Sequence, residues 1–212
     1  MGNAFVFDCD ACSHRCDGVS KKTYLFENDA DYSERKEQAL IAKINRVGGF
    51  CAVKCELKGY PDIEVTHLAS GRVFYIEVKA QRRTFMAVQR KLPDADLTPS
   101  ETVACNLSDL VRYIGIHKET AKPIFVVWCL ENRPCIVEEG ATRYFYADIA
   151  ELEKILLHYG DKRRFRREEG EGDVVNGVHK GVVVNYHFSL NELTDLHLLK
   201  LLESGLAQAL NE

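Results

Sequence analysis

The stretch from Tyr60 to Lys79 restricts the possible folds of this chain more than any other. It reads Tyr60-Pro61-Asp62-Ile63-Glu64-Val65, then a Ser70-Gly71 turn, then Val73-Phe74-Tyr75-Ile76-Glu77-Val78-Lys79. Side chains alternate along a strand, so Tyr75, Glu77 and Lys79 share one face, and Phe74, Ile76 and Val78 share the other. In the preceding strand Ile63 and Val65 lie on the apolar side, and Asp62 and Glu64 on the polar side. A two-residue loop at Ser70-Gly71 pairs Ala69 with Arg72, sets Glu64 opposite Glu77, and sets Asp62 opposite Lys79. Facing acids destabilise a sheet unless something compensates. A divalent cation is the natural compensation.

The flanking pattern alternates helix and strand. Ser33 can cap a helix running to about Val47, with Leu40, Ile41 and Ile44 on its apolar face and Gly48-Gly49 ending it. Phe50 to Leu57 reads as a strand, and the segment with Pro93 and Pro99 reads as a loop. Ser108 can cap a helix carrying Leu110, Val111, Tyr113 and Ile114. The apolar run 124–130 fits a strand covered on both faces. Tyr144-Phe145-Tyr146 suggests another strand, and Ala150 to His158 another helix. This order predicts an α/β sandwich around a mixed central sheet. The 212 residues suit one well-buried domain with appendages: a Cys-rich segment at 1–32, a core at 33–159, and a C-terminal extension at 160–212. The extension reads as a basic loop, a hairpin at Asn176-Gly177 and a leucine-bearing helix, with Ser189 and Glu192 as a capping-box pair. That helix is expected to pack on the core, with self-association as the alternative.

Pro61-Asp62, followed by Glu77-Val78-Lys79 at the end of an apolar strand, resembles the signature of the PD-(D/E)XK nuclease superfamily. Glu37, Leu40, Ile44 and Gly48 are similar to the first core helix of its resolvase and RecB-like members. The resemblance spans roughly Ser33 to Leu156. It implies a restriction-endonuclease-like core and metal-dependent hydrolysis of DNA, with Glu37, Asp62, Glu77 and Lys79 catalytic. Asp62, Glu77 and the Val78 carbonyl would bind Mg²⁺ or Mn²⁺. Lys79 would orient or deprotonate the attacking water, or stabilise transition-state charge. Gln81 echoes a polar residue that meets substrate in some members. A divergent member that keeps the core but loses activity would be a nucleic-acid-binding or assembly module.

Eight cysteines, with no secretory signal, argue for reduced thiols or a metal site rather than a disulfide framework, and for a cytoplasmic protein. Cys9, Cys12 and Cys16 have metal-knuckle spacing, with His14 between them. Zinc is the expected metal, with an iron–sulfur cluster as the alternative. The fourth ligand is open among His14, Cys51, Cys55 and Cys135.

The net charge of −4 is unusual for a nucleic-acid binder. Positive charge is instead concentrated locally, in Arg82 and Arg83 after the proposed catalytic strand and in Lys162, Arg163, Arg164, Arg166 and Arg167. These are the expected phosphate-binding residues, with Phe165 free to stack on a base. DNA is the expected partner, with a partner subunit or a second copy also open. No apolar run approaches the roughly 20 residues a membrane helix needs.

Overall fold

The computed structural model describes residues 4–12, 16, 26–81, 84–131, 133–166, 174–175, 178–179 and 184–210. Its centre is a pair of parallel strands, β3 (Val73–Gln81) and β5 (Ile124–Leu130). Parallel neighbours need a long crossover. Here the crossover carries the short helix α2 (Val88–Lys91), strand β4 (Thr102–Asn106) and helix α3 (Leu107–Thr120). Antiparallel strands extend the sheet on both sides. On one side lie β2 (Ile63–His67) and β1 (Phe50–Lys54); on the other lie β6 (Arg143–Asp148) and β11 (Thr194–Asp195).

Every residue of β5 is buried, as its unbroken apolar run predicts. Tyr75, Val126 and Trp128 face one core, which is filled by Tyr113 of α3, Leu152 of α4 (Ile149–Tyr159), and Tyr186 and Phe188 of β10 (Val184–Ser189). Phe74, Ile76, Phe125 and Val127 face a second core. It lies beneath Leu40 and Ile44 of α1 (Phe26–Val47) and Leu201 and Leu202 of α5 (Leu198–Leu210). Helix α5 approaches closely because Gly205 has no side chain: a Cβ there would stand 2.9 Å from the Phe74 ring.

The hairpin register differs from the expected one by two residues. Glu64 lies opposite Tyr75 and Ile63 opposite Ile76. The turn is longer than two residues: His67 N–H donates to Arg72 O at 2.8 Å, and Gly71 N–H donates to His67 O at 2.8 Å. Gly71 takes φ +69° to close it, a conformation that glycine adopts without steric cost. A slip of two preserves parity, so each side chain keeps its predicted face.

Several boundaries also differ. Helix α1 starts at Phe26, which places Ser33 inside it. Asn106, not Ser108, is the N-cap of α3. Strand β4 was not expected. It pairs with β10, which also pairs with β7 (Arg164–Arg166). The Ser189–Glu192 capping box is present, but it closes a single 3₁₀ turn at Leu190–Glu192. Leu190 is buried in the first core, so its apolarity reports burial rather than the phase of a helix. The chain then forms β11 and enters α5 eight residues later than expected. Strands β8 (Val174–Val175) and β9 (Val178–His179) pair around the Asn-Gly signal, which itself lies outside the described residues. The C-terminal extension thus supplies strands to both larger sheets and a covering helix. Among the described residues no helix is long and apolar enough to cross a membrane.

Candidate active site

Pro61 is buried, and Asp62 directly precedes β2. Where the β2–β3 ladder stops, the Asp62 side chain takes over, and its Oδ2 accepts the Val78 N–H at 2.8 Å. Glu77 is 3% exposed. Its Oε1 receives Lys79 Nζ at 2.5 Å, and its Oε2 receives the Tyr113 hydroxyl at 2.7 Å. Lys79 also donates to Asp109 Oδ2 at 3.2 Å. Asp109 is fixed in turn by Asn106 Nδ2 at 3.2 Å and by the Arg112 guanidinium at 2.7 Å. Arg112 Nε reaches Gly59 O at 2.8 Å, which ties the crossover helix to the loop before Asp62. Glu37 is buried on α1 and forms an ion pair with Lys54 at 3.6 Å.

Burial sets the electrostatics. It pushes the Glu77 carboxyl up to about 7, against the opposing pull of Lys79 and with reinforcement from Asp62. Burial likewise raises Asp62, with the Val78 N–H opposing and the Glu37 charge adding to the rise. Glu37 is raised by burial, partly offset by Lys54, with Glu77 adding repulsion. The three carboxyls therefore feel one another. Burial would strip Lys79 of its proton, but the Glu77 and Asp109 carboxylates more than reverse that, and its pKa is raised. Cys105 lies buried against this pair and is pushed up to about 12 by burial.

The structure thus brings Asp62, Glu77, Val78 and Lys79 together, with Glu37 in electrostatic reach. Val78 contributes its N–H to Asp62. Glu64 stands apart, opposite Tyr75, and adds to the rise of the Tyr75 hydroxyl after burial. Gln81 is buried at the end of β3. Sequence reasoning missed Asp109, Arg112 and Tyr113. The spacing of Asp109 and Tyr113 on the expected helix put both on one face, a usable signal, yet Tyr113 read only as an apolar residue of that helix. Asp62 and Glu77 are hard oxygen donors held partly against their charge by burial, so the donor set fits a cation such as Mg²⁺ or Mn²⁺. Among the described residues no three His, Cys, Asp or Glu side chains already stand in a metal-ligating arrangement.

The second basic tract is not a solvated loop. Lys162 and Arg163 lie in a 3₁₀ turn, and Arg164 and Arg166 lie in β7. Arg163 must be removed from the expected phosphate-binding residues. It is 1% exposed, bonds both Glu192 oxygens at 2.7 and 2.6 Å, and stacks on Tyr159. Phe165 packs against the small cluster of Val88, Leu92, Ala95 and Leu97, so it is not free to meet a base. Lys162, Arg164 and Arg166 are exposed. Arg82, Arg83, Arg167 and His14 lie outside the described residues.

Cys9, Cys12 and Cys16 line one cavity of about 30 Å³, and Cys135 lines it with them, as do Ser100 and Arg133. Of the cysteines left open as a fourth ligand, Cys51 and Cys55 do not line it.

No family model matches the chain, and no curated protein matches its sequence. Among solved structures it is similar to the Holliday junction resolvase Hjc of Archaeoglobus fulgidus. The match has 10% identity and a TM-score of 0.43, over 80% of this chain and 94% of that one.

Proposed function

We propose that the chain is a divalent-cation-dependent nuclease of the PD-(D/E)XK type that hydrolyses phosphodiester bonds in DNA. The observation that carries this reading is the end of the hairpin. There Asp62 is clamped to Val78, Glu77 is buried beside it, and Lys79 is held by Glu77 and Asp109. Asp62, Glu77 and the Val78 carbonyl are the groups that would hold Mg²⁺ or Mn²⁺. Such a cation polarises a phosphoryl oxygen and lowers the pKa of a bound water. Lys79 is the fixed positive charge of the site. Held between Glu77 and Asp109, it is placed to hydrogen-bond the attacking water or the phosphoryl oxygen on which charge grows. Tyr113, Asn106 and Arg112 keep Glu77 and Asp109 in place.

One observation favours a second reading, a non-catalytic DNA-binding or assembly module: both Glu77 oxygens are already engaged. The two readings separate in one assay. The purified chain is incubated with linear, nicked, branched and single-stranded DNA in Mg²⁺, Mn²⁺ or EDTA, beside Asp62→Asn and Lys79→Ala. Asp62→Asn keeps an acceptor for Val78 but removes the charge. Cleavage that needs the cation and falls by about 10²-fold or more in each variant, with unchanged thermal melts, is the expected result. Binding without cleavage in every condition would favour the module. Variants that cut as fast as the parent would overturn the site.

A further inference from the structure

We propose that Cys9, Cys12, Cys16 and Cys135, which share one cavity without already standing in a ligating arrangement, close on one structural zinc ion as four thiolates and fasten the N-terminal arm to the turn after β5. The first observation is convergence: these four cysteines line a single cavity although Cys135 lies more than a hundred residues from the others. The knuckle is locally shaped for the purpose. The Asp8 carboxylate accepts the N–H groups of Asp10 and Ala11 at 3.1 and 3.0 Å, folding Cys9 and Cys12 around a tight turn. The arm is registered on the core through Ser100, which accepts the Phe7 N–H at 3.0 Å and donates to Phe5 O at 2.9 Å.

A second, independent observation concerns Arg133. It is 1% exposed at the same cavity, and its guanidinium bonds the carbonyls of Ser100 and Thr102 at 2.9 and 2.5 Å. Its buried Nε has no hydrogen-bond partner. A buried guanidinium served by carbonyls alone still lacks a counter-charge. Cys9, Cys12, Cys16 and Cys135 line the same cavity as Arg133. As neutral thiols they do not balance it. Four thiolates around one divalent ion carry a net negative charge, and such a site would complete Arg133. The cavity, about 30 Å³, has room for one small ion. Structural zinc sites are closed and four-coordinate, and four thiolates are one of their common ligand sets.

The full chain, purified without added metal, is tested by elemental analysis and by exchange with cobalt. About one zinc per chain is expected, with the visible bands of a tetrahedral cobalt site having four thiolate ligands. Cys135→Ser should lose most of the zinc and change the cobalt spectrum. Cys135→His, which retains a ligand, should keep the metal with a shifted spectrum, and Cys51→Ser should change nothing. Chelation should expose the N-terminal arm to protease. Parent protein without zinc, iron with acid-labile sulfide, or full zinc and a four-thiolate spectrum in Cys135→Ser would each overturn the proposal. All readouts are metal content, spectra and proteolysis, so they stand apart from nuclease activity.

Discussion

Lys79 sits between Glu77 and Asp109, and Glu77 is also held by Tyr113. The Tyr113 bond is buried, so removing it leaves a carboxylate oxygen short of a partner. Tyr113→Phe should therefore cost about 1–2 kcal/mol in a denaturant melt. It should also lower DNA cleavage roughly tenfold by loosening Glu77. Unchanged melting and unchanged cleavage would show that Tyr113 does not hold the site. At this scale the sequence was readable where residues lie on one strand, because a period of two assigns Glu77 and Lys79 to one face without knowledge of any other element. Asp109 and Arg112 were not readable in the same way. Asp109 reaches Lys79 from the crossover helix and Arg112 holds Asp109 and the Gly59 carbonyl, and only the three-dimensional path of that crossover brings them there.

Helix α1 is tied to the far end of β5 through Glu131. Tyr32 and Lys36 donate to its carboxylate, and Thr142 donates at 2.5 Å. Burial alone would raise this carboxyl, but these donors outweigh burial and pull it down to about 2. A carboxyl depressed in the folded state stabilises above its unfolded pKa, near 4.5, and that contribution is lost as pH falls toward 2. Glu131→Gln should therefore reduce stability at neutral pH by about 1 kcal/mol, given partial exposure. It should also flatten the pH dependence of unfolding between those two values. Melts across an acid series test both; parallel curves for parent and variant would dismiss the tie. Element types around the site were legible, because β5 and the amphipathic helices carry strong apolar patterns. Exact ends and turns were less so: the register of β2 on β3 was set by a longer loop closed at Gly71, and β4 was hidden within a segment of mixed polarity.

For the molecule as a whole, the net charge of −4 makes the location of positive charge decisive. With Arg163 committed to Glu192, the exposed charges of the second tract among the described residues are Lys162, Arg164 and Arg166. Neutralising these three should weaken DNA binding across sequences. The log–log salt dependence should flatten by about one unit for each phosphate that is no longer neutralised. Affinity measured against salt concentration tests this, and an unchanged slope would remove the tract from the DNA surface. The residues after 160 were separable by composition, but their strands and helix enter the same layers as the core.

That interleaving bears on how the chain is made. A ribosome delivers the amino-terminal part first, and β6 emerges well before β11, its neighbour on the outer side. Until residues 194–195 arrive, the Arg143–Asp148 strand presents an open edge bearing Tyr144, Phe145 and Tyr146. Unpaired apolar edges template association with other chains. The same late segment brings α5, whose Leu201 and Leu202 cover the second core. Synthesis therefore passes through a stage in which the hairpin of the candidate site can already form while the sheet that carries it remains open along one side and only partly covered, by α1, on one face.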